Sequence, residues 1–389
     1  MDNKSVGEEG FIMNDMQKIP CVILRGGTSK GIYLKANHLP QDKEQRDNMI
    51  LKIFGSPDVR QIDGLGGADP LTSKVAIIGP STHPDANVDY TFGQVSINDH
   101  YIDYSGNCGN ISSGVGPFAI DEGFVAATEP TTTVRIHNTN TGKILIAEVP
   151  TENGRAKVNG DCKIDGVPGT GAKIMMDFSG TAGSVTNKLL PTDKPVDTIQ
   201  TSVGPLEISI VDVSNPCVFV RAKDVGMTGR ETPQEINGDP KLLALMEEIR
   251  AQAAVMIGMA PDIATATAKS PAFPMVAFVA PAADYIDFTT GKTIKKEQVD
   301  FLSRMMFMQV LHKTYPGTGT ACTGAAAKIP GTIVHEAILH IESINVIRIG
   351  HPAGVIEIEA AFENGNLSRA AFARTARRIL EGYVFVRNE

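Results

Sequence analysis

The segment Ser105-Gly106-Asn107-Cys108-Gly109-Asn110 sets a cysteine among glycines directly before a helical pattern that starts near Asn110 and runs through Val115, Phe118, Ala119 and Phe124. The free amides at the start of such a helix attract anions, and the same partial positive charge favours a thiolate over a thiol. A cysteine there can act as a proton-transfer group beside a bound carboxylate. It can equally be a buried structural residue at a tight helix start, and spacing alone leaves both readings open. The design recurs at Gly317-Thr318-Gly319-Thr320-Ala321-Cys322-Thr323-Gly324, followed by Ala325-Ala326-Ala327. Here a helix is expected from about Cys322. With one such segment in each half of the chain, two thiols are expected to face one ligand, each at the positive end of a helix.

Short strand patterns surround both segments. In the first half they cover 21–24, 75–78, 90–97, 134–137 and 144–149. A turn-rich stretch at 191–197 opens the second half, with strands at 206–210, 218–220, 276–279, 344–349, 355–358 and 383–386, and helices at 240–257 and 296–313. Many short strands around one Gly-rich helix start per half do not make the regular alternation of a doubly wound sheet. The expected fold is α+β, two related units with a cleft between them. Residues 1–16 read as a loose leader, with Met13 or Met16 as alternative starts.

The chain has 389 residues, 36 Lys plus Arg against 44 Asp plus Glu, and a formal net charge of −8, which argues against a nucleic-acid or anionic-membrane partner. Glycine is abundant, at 38 residues, but it gathers in ordered-looking motifs rather than low-complexity runs. The cysteines Cys21, Cys108, Cys162, Cys217 and Cys322 are odd in number and sparse, so no disulfide framework is expected, and no CxxC pair suggests zinc. Without a signal-like or membrane-spanning run, a cytoplasmic location is expected. The eight histidines are scattered, no metal spacing occurs, and GxGxxG and GxSxG are both missing.

Three further segments carry chemistry. In Asp69-Pro70-Leu71-Thr72-Ser73-Lys74-Val75 a lysine opens an apolar strand. Burial would lower its pKa and suit it to proton transfer, whereas an isolated lysine at a strand edge is more often simply exposed. The preceding Gly64-Leu65-Gly66-Gly67-Ala68 implies close backbone approach to something. Arg25-Gly26-Gly27-Thr28-Ser29-Lys30-Gly31 lacks the spacing of a phosphate loop, and Thr28, Ser29 and backbone amides fit a carboxylate better. Asn215-Pro216-Cys217 and His351-Pro352-Ala353-Gly354 lie after strands, where such sequences are more often turns than sites.

RGGTSKG at 25–31, DPLTSK at 69–74, SGNCGN at 105–110, GTACTGAAAKIPGT at 319–332 and GHPAG at 350–354 together resemble the PrpF family, in order and over nearly the whole chain from Ile19 to Val386. The resemblance implies a diaminopimelate-epimerase-like fold. Two similar domains each wrap a curved sheet around a central helix. They are expected at 17–192, joined by a returning C-terminal strand at about 375–389, and at 193–374. It implies a cofactor-independent isomerase that moves a C=C bond in a small unsaturated di- or tricarboxylate. The runs IFGSPDVRQIDGLGGADPLTSK and PSTHPDANVDYTF resemble those of family members that carry out a 1,3-allylic shift, and that resemblance implies a reaction of the 3-methylitaconate to 2,3-dimethylmaleate kind. The rivals are isomerisation of 2-methylaconitate or oxalomesaconate, an amino- or hydroxy-acid epimerase, and a silent partner of a dehydratase. Lys74 and Cys108 match the family's proton-transfer pair, and Cys322 matches the second thiol of the epimerases. The expected substrate-binding set is Thr28, Ser29, Lys30, Ser73, Asn107, Gly109, Asn110, Asn215, Thr320, Thr323, Gly324 and His351. Cys217 stands where the epimerases have a histidine. No cofactor is implied, and a homo-oligomer is left open.

Overall fold

A computed structural model describes residues 15–388, so most of the leader read at 1–16 lies outside the described residues, and Met16 already opens a strand. The strands pair in one continuous succession. Met16–Gly26 lies between Ala376–Arg387 and Ser29–Lys35, antiparallel to both. From Ser29–Lys35 the pairing passes through Lys74–Pro80, Val88–Val95, Thr131–Asn138 and Lys143–Glu152 to Ile174–Asp177. Asn366–Arg374 joins that last strand to Gly354–Glu363. The succession then runs through Val346–His351, Phe301–Phe307, Met275–Pro281, Asn215–Arg221 and Gly204–Val213 to Asp197–Thr201. Sheet thus dominates, as an α+β architecture requires.

Two helices sit inside the curved sheet. The first, Gly109–Asp121, is buried from Gly109 through Ile120 and packs on strands of the first half and on Ala376–Arg387. The second, Gly317–Lys328, is buried from Gly317 through Ala327 and packs on Gly204–Val213, Asn215–Arg221, Gly354–Glu363 and Asn366–Arg374. A helix enclosed on all sides has no polar face, which accounts for the Gly, Ser, Thr and Ala content of both. Helices Lys43–Phe54 and Pro240–Met256 lie outside and bury only part of their surface. No helix among the described residues is long and apolar enough to cross a membrane.

Two sequence expectations change. The helix expected at 296–313 is a 3-10 turn at Lys296–Gln298 followed by the strand Phe301–Phe307. All seven residues of that strand are buried, because it is paired on both sides and covered on both faces. Such a strand shows no alternation, and its Leu, Arg and Met favour helix when isolated. The second correction concerns the helix expected from Cys322. It starts at Gly317 with Pro316 as N-cap, so its first glycines are helical.

Those glycines are there because the two buried helices meet end to end. A methyl on Gly109 would lie 2.7 Å from Thr318 N and 2.8 Å from the Gly317 carbonyl carbon, and one on Gly317 would lie 2.7 Å from the Gly109 carbonyl carbon. Backbone cannot yield as a side-chain tip can. Gly109→Ala and Gly317→Ala are therefore each expected to destabilise the protein by about 1–3 kcal/mol or more, read as a lowered urea midpoint. An unchanged midpoint in either would contradict this packing.

Candidate functional site

The first helix begins at Cys108, whose extended backbone makes it the N-cap, and whose carbonyl accepts the Ser112 amide at 2.8 Å. The second begins at Pro316, whose carbonyl accepts the Thr320 amide at 2.8 Å. Two sets of unpaired helix amides therefore converge on one small region. Asn215 clasps them. Its side chain accepts from Asn107 N (3.0 Å) and donates to Asn107 O (2.7 Å) and Thr318 Oγ1 (2.8 Å).

Lys74 opens its strand against this junction and is 2% exposed. It stands opposite Gln94 in the register of Lys74–Pro80 with Val88–Val95. Lys74 Nζ donates to Gln94 Oε1 at 2.5 Å, and Gln94 Nε2 donates to the carbonyls of Ser73 (3.0 Å) and Pro70 (3.2 Å). With its amide nitrogen occupied by carbonyls, Gln94 presents only an acceptor to the lysine. The Phe307 and Phe92 rings lie 4.8 and 5.4 Å from Nζ. Burial holds the Lys74 pKa below that of a free lysine, opposed by the neighbouring Cys108 and by Asp69.

Lys74, Cys108, Ser29, Asn107, Gly109, Asn110, Phe307, His312 and Thr318 line a cavity of ≈ 20 Å³. Ser29 Oγ and Asn107 Nδ2 are buried there without a hydrogen-bond partner. A larger cavity of ≈ 260 Å³ is lined by Thr28, Thr314, His351, Arg374, Lys163 and Asp165 among others. Asn110 joins the two. Its Oδ1 accepts from Arg374 Nε (3.0 Å) and Thr28 N (3.4 Å), and its Nδ2 donates to Thr28 Oγ1 (3.1 Å), which pairs with Thr314 Oγ1 (2.9 Å).

Other expected site residues fall elsewhere. Cys322 is in the second turn of its helix, fully buried, with Sγ donating to Val211 O at 3.1 Å, so the pair of thiols at two helix starts is not formed. The N-cap equivalent of Cys108 is Pro316. Thr320 bonds back to Pro316 O (2.9 Å), Thr323 bonds Tyr315 (3.0 Å), and Gly324 packs on Ile358. Ser73 Oγ donates to Gln61 Oε1 (2.8 Å), and Lys30 lines neither cavity. The glycine run at 64–68 approaches protein rather than ligand. Gly64 lies against Gly55, and Gln61 Oε1 accepts the Ala68 amide at 2.8 Å.

Gln94, His312, Thr318 and Arg374 were not singled out as site residues from the sequence. Gln94 becomes visible once the register across from Lys74 is known, and Arg374 heads the basic stretch 374–378, which reads only as the approach to a strand. Among the described residues no group of His, Cys, Asp and Glu is placed to hold a metal ion.

Solved racemases and epimerases share this architecture. A hydroxyproline epimerase from Agrobacterium vitis superposes with a TM-score of 0.56 at 12% identity, over 97% of this chain and 94% of that one. The fold is therefore diaminopimelate-epimerase-like. Residues 16–387 match the PrpF protein family, and the chain belongs to it. It is 66% identical to the 3-methylitaconate isomerase of Eubacterium barkeri over 96% of this chain and 98% of that one. A crystal structure of methylitaconate-delta-isomerase, also 66% identical, superposes with a TM-score of 0.81 over 96% of both chains. The 2-methyl-aconitate isomerase of Cupriavidus necator is 38% identical over 95% of this chain and 97% of that one.

Two histidines near these cavities are held neutral. Burial, aided by Lys74, pushes His312 down to about 3, and burial, aided by Arg304 and Arg374, does the same to His351. An unfolded histidine titrates near about 6.5, so unfolding takes up protons below that pH. The stability from these two groups is complete above about pH 6.5 and is lost as pH falls towards 3. The urea midpoint is expected to fall between pH 6.5 and 5, and to fall less in His312→Asn. A flat midpoint across that window would show that these histidines are not buried neutral.

Proposed function

We propose that this protein is an isomerase that moves a C=C bond by a 1,3-allylic proton shift in a small unsaturated dicarboxylate, 3-methylitaconate becoming 2,3-dimethylmaleate. The observation that carries this is the buried Lys74 amine beside Cys108, at a helix start where Ser29 and Asn107 hold unused hydrogen-bonding atoms. The likeness to the Eubacterium barkeri enzyme selects the substrate.

The C–H bond broken is the one alpha to a carboxylate and allylic to the methylene. Its electron pair moves into a dienolate, the double bond shifts inward, and a proton adds to the former methylene carbon to make a methyl group. Substrate and product have the same atoms and oxidation state, so no net oxidant or reductant is needed. One of Lys74 and Cys108 removes the proton, and the other returns one. The pair therefore works with a single proton shared between them. Gln94 fixes the amine, and the Phe92 and Phe307 rings lie against it. The dienolate gathers charge on a group that is already anionic, so donors must meet it. The convergent amides of two helices and the orphan donors of Ser29 and Asn107 suit that task, each such donor being worth about 100- to 1000-fold in rate.

The remaining expected residues sort accordingly. Thr28 and His351 belong to the larger cavity, whereas Asn215, Thr320, Cys322, Thr323 and Gly324 hold the second helix in place. This reading disfavours an epimerase, which needs thiols on both faces of one carbon. Isomerisation of 2-methylaconitate or of oxalomesaconate remains the second reading, favoured by the room in the larger cavity. We assign 17–192 with 375–389 to one domain and 193–374 to the other, on the strength of one buried helix in each, and we place the protein in the cytoplasm.

Lys74→Ala and Cys108→Ala should each lower kcat by about 100-fold or more, while Cys322→Ser keeps most activity. Proton NMR in D2O should show deuterium entering the new methyl group. Near-normal turnover in both of the first two variants would sink the assignment. Because the active pair carries one proton, kcat/KM should be bell-shaped in pH. Its alkaline limb should lie below the 10.5 of a free lysine, since burial lowers Lys74. A limb at or above that value would remove the lysine from the reaction.

A further inference from the structure

The ≈ 20 Å³ cavity beside Lys74 and Cys108 has room for a water or two, which need at least about 10–15 Å³. A dicarboxylate does not fit within it. Asn110, in its wall, bonds Arg374 and Thr28, and both of these line the neighbouring ≈ 260 Å³ cavity.

Arg374 is 3% exposed and ends the strand Asn366–Arg374. Its Nε donates to Asn110 Oδ1 (3.0 Å), one terminal nitrogen donates to Ala373 O (3.0 Å), and its plane lies 4.5 Å over the Phe372 ring. Among the described residues it has no carboxylate partner and no bond from its other terminal nitrogen. Arg250, equally buried, contrasts with it and pairs with Glu247 at 2.6 Å. A buried guanidinium without a counter-charge is costly, and its fork fits a carboxylate in two places at once. The acids near the cavity do not serve it. Asp165 is taken by Lys163 (3.2 Å) and Val355 N (2.9 Å), and Glu357 is at the exposed rim. The walls add the hydroxyls of Thr28 and Thr314 and the neutral His351. Burial pushes the Arg374 guanidinium down to about 9, which leaves it charged at neutral pH.

We propose that the larger cavity is a carboxylate subsite in which Arg374 anchors the end of the substrate remote from the helix junction. One carboxylate is then met by helix amides beside Cys108 and the other by the guanidinium. Asn110 forms the wall between them and ties the anchor to the reacting end. This inference rests on the dicarboxylate reading above, and it adds a place for the second charge.

The test is calorimetric binding of succinate and of monomethyl succinate, neither of which can react, to the full chain and to Arg374→Met and Arg374→Lys. The wild-type protein should prefer the diacid by about 10- to 100-fold. Arg374→Met should bind both alike, and Arg374→Lys should keep part of the preference. In turnover of 3-methylitaconate, Arg374→Met should raise KM by a similar factor with a smaller change in kcat. Absence of a diacid preference in the wild-type protein overturns the proposal whether or not the variants fold. So does a full preference retained in a cooperatively unfolding Arg374→Met. A wild-type protein that prefers the diacid but does not isomerise 3-methylitaconate refutes the proposed reaction and leaves the subsite standing. Normal turnover in Arg374→Met does the reverse.

Discussion

The backbone contact between Gly109 and Gly317 governs the rest of the molecule. Two helix N-termini that meet bring like partial charges together, and nothing about helix packing in itself favours that. What holds them is the enclosing sheet, which leaves each helix no other position, and Asn215, whose side chain bonds both ends. The arrangement concentrates unpaired amides and positive potential at one point, beside a buried amine. Such a concentration favours an anion. The same constraint explains sequence features that look unrelated. Glycines occupy helix positions where alanine would be more stable, and small residues fill both helix surfaces.

The site is also unusual in its charge balance. Lys74, Arg304 and Arg374 are buried, and none has an ion pair among the described residues. Arg304 is satisfied by the carbonyls of Glu231, Ser303 and Gly350 and so serves the structure. Lys74 and Arg374 instead border cavities. Burial, aided by the nearby cations, keeps His312 and His351 neutral, so the histidines offer hydrogen bonds without adding further positive charge. A net charge of −8 over the whole chain conceals this local excess of cations.

Much of the fold could be read before the structure. The strand runs 21–24, 75–78, 134–137, 206–210 and 276–279 all fall within observed strands, and 240–257 is helical to within a residue or two. Phe301–Phe307 could not be read, because burial on both faces erases the alternation that marks a strand. In the site, Cys108 and Lys74 stood out because a cysteine at a glycine-rich helix start and a lysine at the head of an apolar strand are locally odd. Gln94 and Arg374 are not odd in their own segments. They matter only through partners far away in sequence, 20 residues for Gln94 with Lys74 and 264 for Arg374 with Asn110. Cys322 misled for the opposite reason. Its surroundings copy those of Cys108, but glycines read as a loop are helical, and that moves the thiol a turn inward.

The succession of strands has a bearing on how the molecule is made. Met16–Gly26, made before the other described strands, lies between Ser29–Lys35 and Ala376–Arg387. Ile174–Asp177 likewise waits for Asn366–Arg374. Contacts so distant along the chain form late and slowly. During synthesis the first buried helix is therefore complete long before the strands that close its sheet, and before the arginine that caps the neighbouring cavity. The convergent amides exist as a site only once the whole chain has been drawn around them. A partly made chain exposes unpaired strand edges, which are templates for aggregation.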